Sequence, residues 1–285
     1  MKTFLTTLAL LGSLGSGWTA TTINAANHYA YGANLGWLDW RGDTANGAVI
    51  GDYVCSGYIY AANVGWISLG GGTPTNGIRY LNVSGSDFGV NHDGFGNLRG
   101  YAYGANIGWI NFENTGAPTV NLKTGRMSGS VYSANCGWIS LSNTFAVVQT
   151  DSFDPGVLAP DGLPIAWLLS NFNTTNLNAN ADNDGDGQSN QQEYLAGTDP
   201  RDVSDFLKIT AQSFSLGGTS ATLTWKSVLN RCYYLQKNPD LTTTNWLDSG
   251  LGVIAPDGAS TLRTFGDLSA PMRFYRVRAV RPLVP

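Results

Sequence analysis

Oxygen-bearing side chains recur at alternate positions in the middle of the chain, in "DNDGDGQSNQQE". Carboxylates spaced in this way turn toward one point when the backbone bends, and a glycine allows the bend. Calcium, a hard cation, takes roughly six to eight oxygen ligands of this kind. Counted from Asp182, the spacing predicts a calcium site in which Gln188 contributes its backbone carbonyl. The predicted ligands are Asp182, Asp184, Asp186, Gln188, Asn190 and Glu193.

These positions are those of an EF-hand calcium loop, which a glutamate closes from the first turn of a helix. Residues 160 to 203 also resemble the EF-hand-like modules of secreted bacterial proteins, of the thrombospondin type 3 and dockerin-like kind, through "DGDG" and "EYLAGTDP". The resemblance implies a structural calcium ion. A calcium switch is not expected, because one loop stands alone and Ser189 occupies a position that is usually apolar. Asp199 is a further possible ligand.

Aromatic residues form the second pattern with chemical potential. Four similar segments, "YAYGANLGWLDW", "YIYAANVGWISL", "YAYGANIGWINF" and "SVYSANCGWISL", each contain a Gly-Trp pair. Exposed indoles beside small polar residues would form a surface on which sugar rings stack. Alternatively, each indole packs across the glycines of the adjacent segment. Because Ser or Asn recurs two positions after the indole in three segments, we expect at least two of the four to face solvent. The candidate ligand-binding residues are Trp37, Trp66, Trp109 and Trp138.

The four segments also predict the fold of the first half. Each contains a strand, a short loop with Asn and Gly, and a second strand in which apolar and polar residues alternate, as in a β-hairpin. Asn34, Asn63, Asn106 and Asn135 are interpreted as residues that tolerate left-handed backbone and bond their own amides. An offset of 72 residues aligns both hairpins of residues 26 to 75 with those of 98 to 145. We therefore expect an internally repeated β domain, closed as a barrel, stacked as a sandwich or arranged like a propeller.

Short strands separated by turns also fill the last third of the chain, which predicts an antiparallel β-sandwich with Trp225 in its core. Through "LTW", "YYLQK", "NW" and "FYRVRA", this part resembles the fibronectin type III-like modules of exported bacterial proteins. The "GYAYGANIGWINF" units resemble a repeat of uncharacterised secreted bacterial proteins, and this resemblance implies no chemistry. The predicted fold class is mainly β, with a short helical calcium segment between two β domains.

Catalytic signatures are missing from the sequence. His28 and His92 lie in turn-rich contexts, and no cysteine has a recognisable histidine partner. Paired carboxylates could cleave sugars, so a glycoside hydrolase is the less favoured alternative. The carboxylates of the first domain fit no recognised signature. They are Asp39, Asp43, Asp52, Asp87, Asp93 and Glu113.

Composition limits the class of protein. The 285 residues are 42% hydrophobic and only 13% charged, which excludes intrinsic disorder and coiled coil. The net charge is −4, and the acidic residues are concentrated in residues 151 to 200, which hold eight carboxylates and no Lys or Arg. Arginines alternate in "RFYRVRAVR" as on the solvent face of a strand, so nucleic-acid binding is not expected.

The first residues predict export. Lys2, an apolar stretch and a small-residue exit form a signal peptide assigned to residues 1 to 25, with cuts after Gly17, Ala20, Ala25 or Ala26 as alternatives. No membrane span is expected after its removal. The odd number of cysteines, Cys55, Cys136 and Cys232, permits one disulfide at most. If one forms, Cys55 with Cys136 is the expected pair; separate buried thiols are expected at least equally.

The predicted organisation is a signal peptide (1–25), a repeat β domain (26–150), a linker with the calcium module (151–204) and a fibronectin type III-like sandwich (205–285). The expected protein is a secreted, non-enzymatic surface or extracellular-matrix component stabilised by calcium between its domains. Carbohydrate binding through the tryptophans is the alternative. Expected partners are a glycan, a cell-surface molecule or a second copy of the chain.

Overall fold

The structure, a computed structural model, describes residues 21–43, 45–215, 219–266 and 274–283. It confirms the mainly β fold class. Thirteen strands precede the helices: β1 Ile23–Gly32, β2 Gly36–Asp39, β3 Val49–Ile50, β4 Cys55–Ala61, β5 Gly65–Gly71, β6 Val90–His92, β7 Leu98–Gly104, β8 Gly108–Asn111, β9 Thr119–Val120, β10 Met127–Ser128, β11 Ser130–Ser133, β12 Gly137–Ser140 and β13 Val148–Thr150. After them follow α1 Ile165–Phe172, α2 Asn190–Ala196, β14 Ile209–Phe214, β15 Ser220–Lys226, β16 Cys232–Asn238, β17 Leu247–Asp248, β18 Ser260–Gly266 and β19 Phe274–Val280.

Eight antiparallel strands close into a barrel. Their order is β1-β2-β4-β5-β7-β8-β11-β12, and β12 pairs back with β1 through Tyr31 and Ser140. Strands β3, β6 and β13 add to its outside, while β9 and β10 form a separate pair. Of the closures left open by the sequence, the barrel is therefore the one observed. Closure leaves no unpaired edge among the eight strands.

The four hairpins of the barrel share one register. Tyr31 faces Trp37, and the same pairing recurs as Tyr60 with Trp66, Tyr103 with Trp109, and Tyr132 with Trp138. Trp37 and Trp109 thus occupy equivalent strands. Ile67 and Leu69 are fully buried inside the barrel while Trp66 faces outward, as the alternating pattern predicts.

The hairpin loops correct the interpretation of the asparagines. The left-handed residue of each loop is the following glycine, with φ between 70° and 80° at Gly36, Gly65, Gly108 and Gly137. Each asparagine instead donates its side-chain amide to a backbone carbonyl of the neighbouring hairpin. These bonds close a ring around one end of the barrel: Asn63 to Leu35, Asn106 to Val64, Asn135 to Ile107 and Asn34 to Cys136, at 3.0 to 3.1 Å.

The C-terminal part contains two three-stranded antiparallel sheets, β14-β15-β18 and β17-β16-β19. Trp225 and Leu223 from the first sheet share one core with Tyr233 and Leu235 from the second. Trp225 is fully buried, as predicted. Because one core joins the two sheets, the unit is layered as a small sandwich.

A third core belongs to the segment between the β units. Leu168 and Trp167 of α1 pack with Tyr194 of α2, and Tyr53 of the barrel packs against the same cluster. Helix α1 ends at Asn173, whose left-handed backbone (φ 52°) caps it. The segment is thus packed onto the barrel rather than extended between the two units.

Strand β1 starts inside the segment that the sequence assigns to the signal peptide. Residues 1–20 of the predicted signal peptide lie outside the described residues. Ile23, inside the predicted segment 1–25, starts β1 with a fully buried side chain, and the backbone carbonyl of Thr22 accepts a hydrogen bond from Asp151 N–H. A cut after Ala25 or Ala26 would remove part of the barrel wall.

All three cysteines are free thiols. Cys55 and Cys232 are buried and Cys136 is half-buried at the asparagine end of the barrel. The Cys55–Cys136 disulfide is therefore not formed, and of the two alternatives that the sequence left open, separate thiols are observed.

Candidate functional site

The predicted calcium loop is folded by its own side chains. Asp182 accepts hydrogen bonds from the backbone N–H groups of Gly185 (2.7 Å) and Gly187 (2.9 Å), which bend the chain around its carboxylate. The N–H of Gln188 donates to Asp186 at 2.6 Å. Helix α2 then starts with a capping box, because the Ser189 hydroxyl accepts from Gln192 N–H while the Gln192 side chain accepts from Ser189 N–H. The cap fixes the direction in which α2 leaves the loop.

Four buried oxygens of this loop have no hydrogen-bond partner. One ligand atom each from Asp182, Asp184 and Asp186 lies within 4.8 Å of the others. Buried polar atoms are normally paired, so four unpaired acceptors in one 12-residue loop form a donor set that could hold a cation. The unpaired atoms are Asp184 Oδ2, Asp186 Oδ2, Asn190 Oδ1 and Glu193 Oε2. All four belong to residues predicted as ligands, and the donor set fits calcium.

The surroundings of Glu193 raise the pKa of its carboxyl group. Its side chain is fully buried on α2, and burial, together with the charges of Asp184 and Asp186, raises its pKa to about 8. Burial also raises the pKa of Asp184, whereas hydrogen bonds from Gly187 and Gly185 lower the pKa of Asp182. Carboxylates gathered in this way repel one another unless a positive charge lies between them.

Asn190 and Asp199 differ in their suitability as ligands. The Asn190 amide nitrogen donates to Asn178 O (2.9 Å) and to Asn183 Oδ1 (3.1 Å), which leaves its oxygen free for an ion. Asp199 accepts a hydrogen bond from Arg201 Nε at 3.2 Å. Asp199 is thus engaged in an exposed ion pair, and Asn190 is the better ligand.

Helix α2 joins the calcium loop to both β units, a feature that sequence reasoning missed. One residue after Glu193, the Tyr194 hydroxyl lies 3.5 Å from Asp52 Oδ2 of the barrel. At the end of the helix, Arg231 of the C-terminal unit donates to the carbonyls of Tyr194 (2.6 Å) and Leu195 (2.9 Å). In the sequence, Asp52 and Arg231 are single charged residues far from α2 and from each other. The sequence therefore gives no sign that both contact this helix.

The four candidate tryptophans lie on the outer surface of the barrel. Their exposed fractions are 49% at Trp37, 46% at Trp66, 46% at Trp109 and 48% at Trp138. A Cβ placed on the glycine before each would approach an asparagine amide and no indole. The alternative in which each indole packs across the glycines of an adjacent segment is therefore wrong.

Each indole is supported by tyrosines of its own hairpin. Trp37, for example, makes edge contacts with Tyr29 and Tyr31, with ring centroids 5.8 and 5.4 Å apart. Because the four hairpins surround a closed barrel, the indoles point in different directions and do not form one flat row. We call these four tryptophans and their cross-strand tyrosines Tyr31, Tyr60, Tyr103 and Tyr132 the aromatic belt.

Two clefts open on the aromatic belt. The first, of about 450 Å³, lies between Trp109, Tyr101, Phe88 and the loop that contains Ser84. The second, of about 260 Å³, lies beside Trp138 and includes Glu113. Neither cleft was predicted, because the loop residues that form their second walls lie outside the repeated segments.

The other carboxylates of the barrel have structural partners. Asp39 contacts His28 Nδ1 at 2.6 Å, and buried Asp87 accepts from the Thr75 hydroxyl at 2.9 Å. Asp43 and Asp93 each accept bonds from asparagine side chains in their own turns. Asp52 pairs with Arg281. These contacts explain five of the six carboxylates without catalysis.

In the described part of the chain, neither helix has the length and apolarity required to span a membrane. Comparison of the sequence and the structure with protein-family models, curated proteins and solved structures finds no match.

Proposed function

We propose that this protein is a secreted, non-enzymatic surface or extracellular-matrix component in which one calcium ion fixes the joint between a β-barrel and a C-terminal β unit. The observation that carries the proposal is the group of four unpaired buried oxygens at Asp184, Asp186, Asn190 and Glu193. Exposed acidic clusters are common, but buried acceptors without donors are costly unless an ion satisfies them.

The position of α2 supports a role for calcium at the joint. Glu193 faces the loop, while its neighbour Tyr194 contacts Asp52 and the helix carbonyls bind Arg231. A calcium ion held by Glu193 would therefore restrain both β units through one short helix. Extracellular modules of this kind bind calcium with dissociation constants of about 10⁻⁴ to 10⁻³ M, which suits a permanently occupied site outside the cell.

Calorimetric titration of residues 21–285 with calcium tests the proposal. We expect one bound ion in the unmodified protein. Glu193→Ala removes two ligand oxygens and should weaken binding at least about tenfold, or about 1.4 kcal/mol. Glu193→Gln retains the volume of the side chain and should also weaken binding.

Glu113→Gln is the matched control, because it removes the same charge from the barrel surface. It should bind calcium like the unmodified protein. Absence of heat with the unmodified protein, or equal affinity in the Glu193 variants, would contradict the calcium site.

Carbohydrate binding by the aromatic belt is the second candidate function. The observation that favours it is the near half exposure of all four tryptophans, which is unusual for residues of this size. Tyrosines contact each indole in edge-on or tilted orientations, so the rings are held in place before a ligand arrives. A glycan array probed with residues 21–285 tests this function, and replacement of all four tryptophans by alanine should abolish any signal.

A further inference from the structure

The cleft at Trp109 differs from the rest of the aromatic belt because it has a second aromatic wall. Phe88 contacts Trp109 edge-on, with ring centroids 5.1 Å apart and planes at 82°. Tyr101 contacts the same indole, with ring centroids 6.1 Å apart and planes at 75°. The other three tryptophans contact only tyrosines of their own hairpins among the described aromatic rings.

The loop that carries Phe88 is held by internal hydrogen bonds. Buried Asp87 accepts from the Thr75 hydroxyl (2.9 Å) and from Leu81 N–H (3.1 Å). Asn82 N–H donates to the Asp87 carbonyl at 3.0 Å, and the Asn82 side chain accepts from Gly89 N–H at 3.0 Å. The second wall of the cleft is therefore formed in advance, and a ligand would not have to order it.

The lining of the cleft selects a class of ligand. Its volume of about 450 Å³ falls within the roughly 300–1,000 Å³ of small-ligand sites. The lining contains no Lys, Arg, Asp, Glu or His, so an ionic ligand would lose hydration without gaining a counter-charge. Aromatic faces accept flat apolar surfaces, and the hydroxyls of Ser84 and Tyr101 can bond hydroxyl groups. An uncharged sugar ring combines both kinds of surface.

We propose that the cleft formed by Trp109, Tyr101, Phe88 and the Asn82–Gly85 loop is a binding site for an uncharged sugar unit of a glycan chain. This proposal rests on carbohydrate binding, the second candidate function, and assigns it to one cleft instead of the whole aromatic belt. Trp109 forms the stacking platform. The hydroxyls of Ser84 and Tyr101 hold the polar edge of the sugar.

Isothermal titration with cellohexaose, xylohexaose, chitohexaose and maltohexaose tests the proposal, with a sulfated heparin hexasaccharide as the charged comparison. At least one neutral hexasaccharide should bind the unmodified protein. Trp109→Ala should weaken that binding about tenfold or more. Trp37→Ala is its matched control, because Trp37 has a similar exposure and similar tyrosine contacts but, among the described aromatic rings, none from outside its own hairpin.

A second pair of variants leaves Trp109 in place. A Cβ on Gly85 meets no atom within 4 Å and its backbone is not left-handed, so Gly85→Leu obstructs the cleft without strain. It should weaken binding as Trp109→Ala does. Gly71 has the same free surroundings outside the cleft, so Gly71→Leu is the control and should bind normally.

The outcomes separate the cleft from the broader function. If Trp37→Ala and Trp109→Ala lost the same affinity for the neutral sugar and Gly85→Leu bound it normally, the proposed cleft site would be wrong. Carbohydrate binding by the whole aromatic belt would then still be supported. Binding of the heparin hexasaccharide alone, or of none of the neutral sugars at millimolar concentration, would overturn both.

Discussion

Arg281 Nη2 lies 2.6 Å from Asp52 Oδ2, across 229 positions of sequence, and both side chains are largely buried. Asp52 lies between β3 and β4 of the barrel, whereas Arg281 follows the last strand of the C-terminal unit. The Arg281 guanidinium also lies over the Tyr194 ring of α2, 5.8 Å from its centroid. One ion pair therefore connects the barrel with the end of the C-terminal unit, beside α2.

We expect Arg281→Met to lower the free energy of unfolding by about 2 kcal/mol, because it leaves Asp52 half-desolvated without its charged partner. The measurement is urea unfolding followed by tryptophan fluorescence. Arg201→Met is the control; it breaks the exposed Arg201–Asp199 pair and should cost less than about 1 kcal/mol. Equal effects of the two substitutions would show that the Asp52–Arg281 pair adds no more than a surface contact.

Calcium removal should loosen the joint without unfolding either β unit. With a chelator present, amide hydrogen exchange should accelerate in residues 182–196 and around Arg231, because the carboxylates of the loop then repel one another. Strand β7 of the barrel and β15 of the C-terminal unit serve as internal controls and should keep their protection. Faster exchange throughout β7 would indicate that calcium stabilises the barrel itself.

His92 predicts the pH dependence of barrel stability. Its Nδ1 lies 2.8 Å from Gly51 O and its Nε2 accepts from Gly96 N–H at 3.1 Å, a pattern that requires the neutral ring. Burial lowers the pKa of His92 below its usual value of 6.5. His92 therefore binds a proton more readily in the unfolded chain than in the folded chain. Its contribution to the free energy of unfolding is fully present above about pH 6.5 and decreases as the pH falls below that value.

The free energy of unfolding should therefore decrease as the pH falls below about 6.5. His92→Gln retains an amide in place of the ring and should remove this part of the slope in thermal unfolding. The difference between the two slopes isolates His92 together with Asp93, whose pKa its charge lowers. Parallel pH profiles would contradict the assignment.

The next prediction concerns the ring of asparagine hydrogen bonds that links the hairpins at one end of the barrel. Asn63→Ala should cost about 1 kcal/mol, because the Leu35 carbonyl loses its donor. Asn63→Asp should cost more, since a carboxylate faces the same carbonyl oxygen. Ala62→Asp adds an equal charge one residue away at an exposed position and should change stability by less than about 0.5 kcal/mol. A larger effect of Ala62→Asp than of Asn63→Asp would point to loop charge and away from the hydrogen bond.

Local patterns in the sequence predicted the hairpins, which the structure contains, and grouped the carboxylates of the loop that is proposed to bind calcium. The alternation around Trp66 and the spacing from Asp182 to Glu193 depend on residues that are close in the chain, so they could be recognised directly. The roles of Asn63 and Asp52 could not, because their partners, Leu35 and Arg281, lie in other hairpins or in the other β unit. Barrel closure likewise depends on the pairing of the first and last hairpins, which hairpin propensity does not specify.

The last prediction concerns the N-terminal boundary. A chain that starts at Thr21 should fold fully, because the Thr21 hydroxyl donates to Ala48 O (2.6 Å) and Ile23 fills the barrel wall. A chain that starts at Asn27 loses both and should be less stable by about 3 kcal/mol or more, which thermal unfolding would detect. Ile23→Ala in the longer chain isolates the side-chain contribution, and Asn24→Ala is the control because Asn24 makes an exposed contact with Asp151. If the Asn27 chain were as stable as the Thr21 chain, residues 21–26 would be dispensable. Cleavage of the predicted signal peptide after Ala25 or Ala26 would then be compatible with the barrel. The expected loss of stability instead favours cleavage after Ala20 or Gly17.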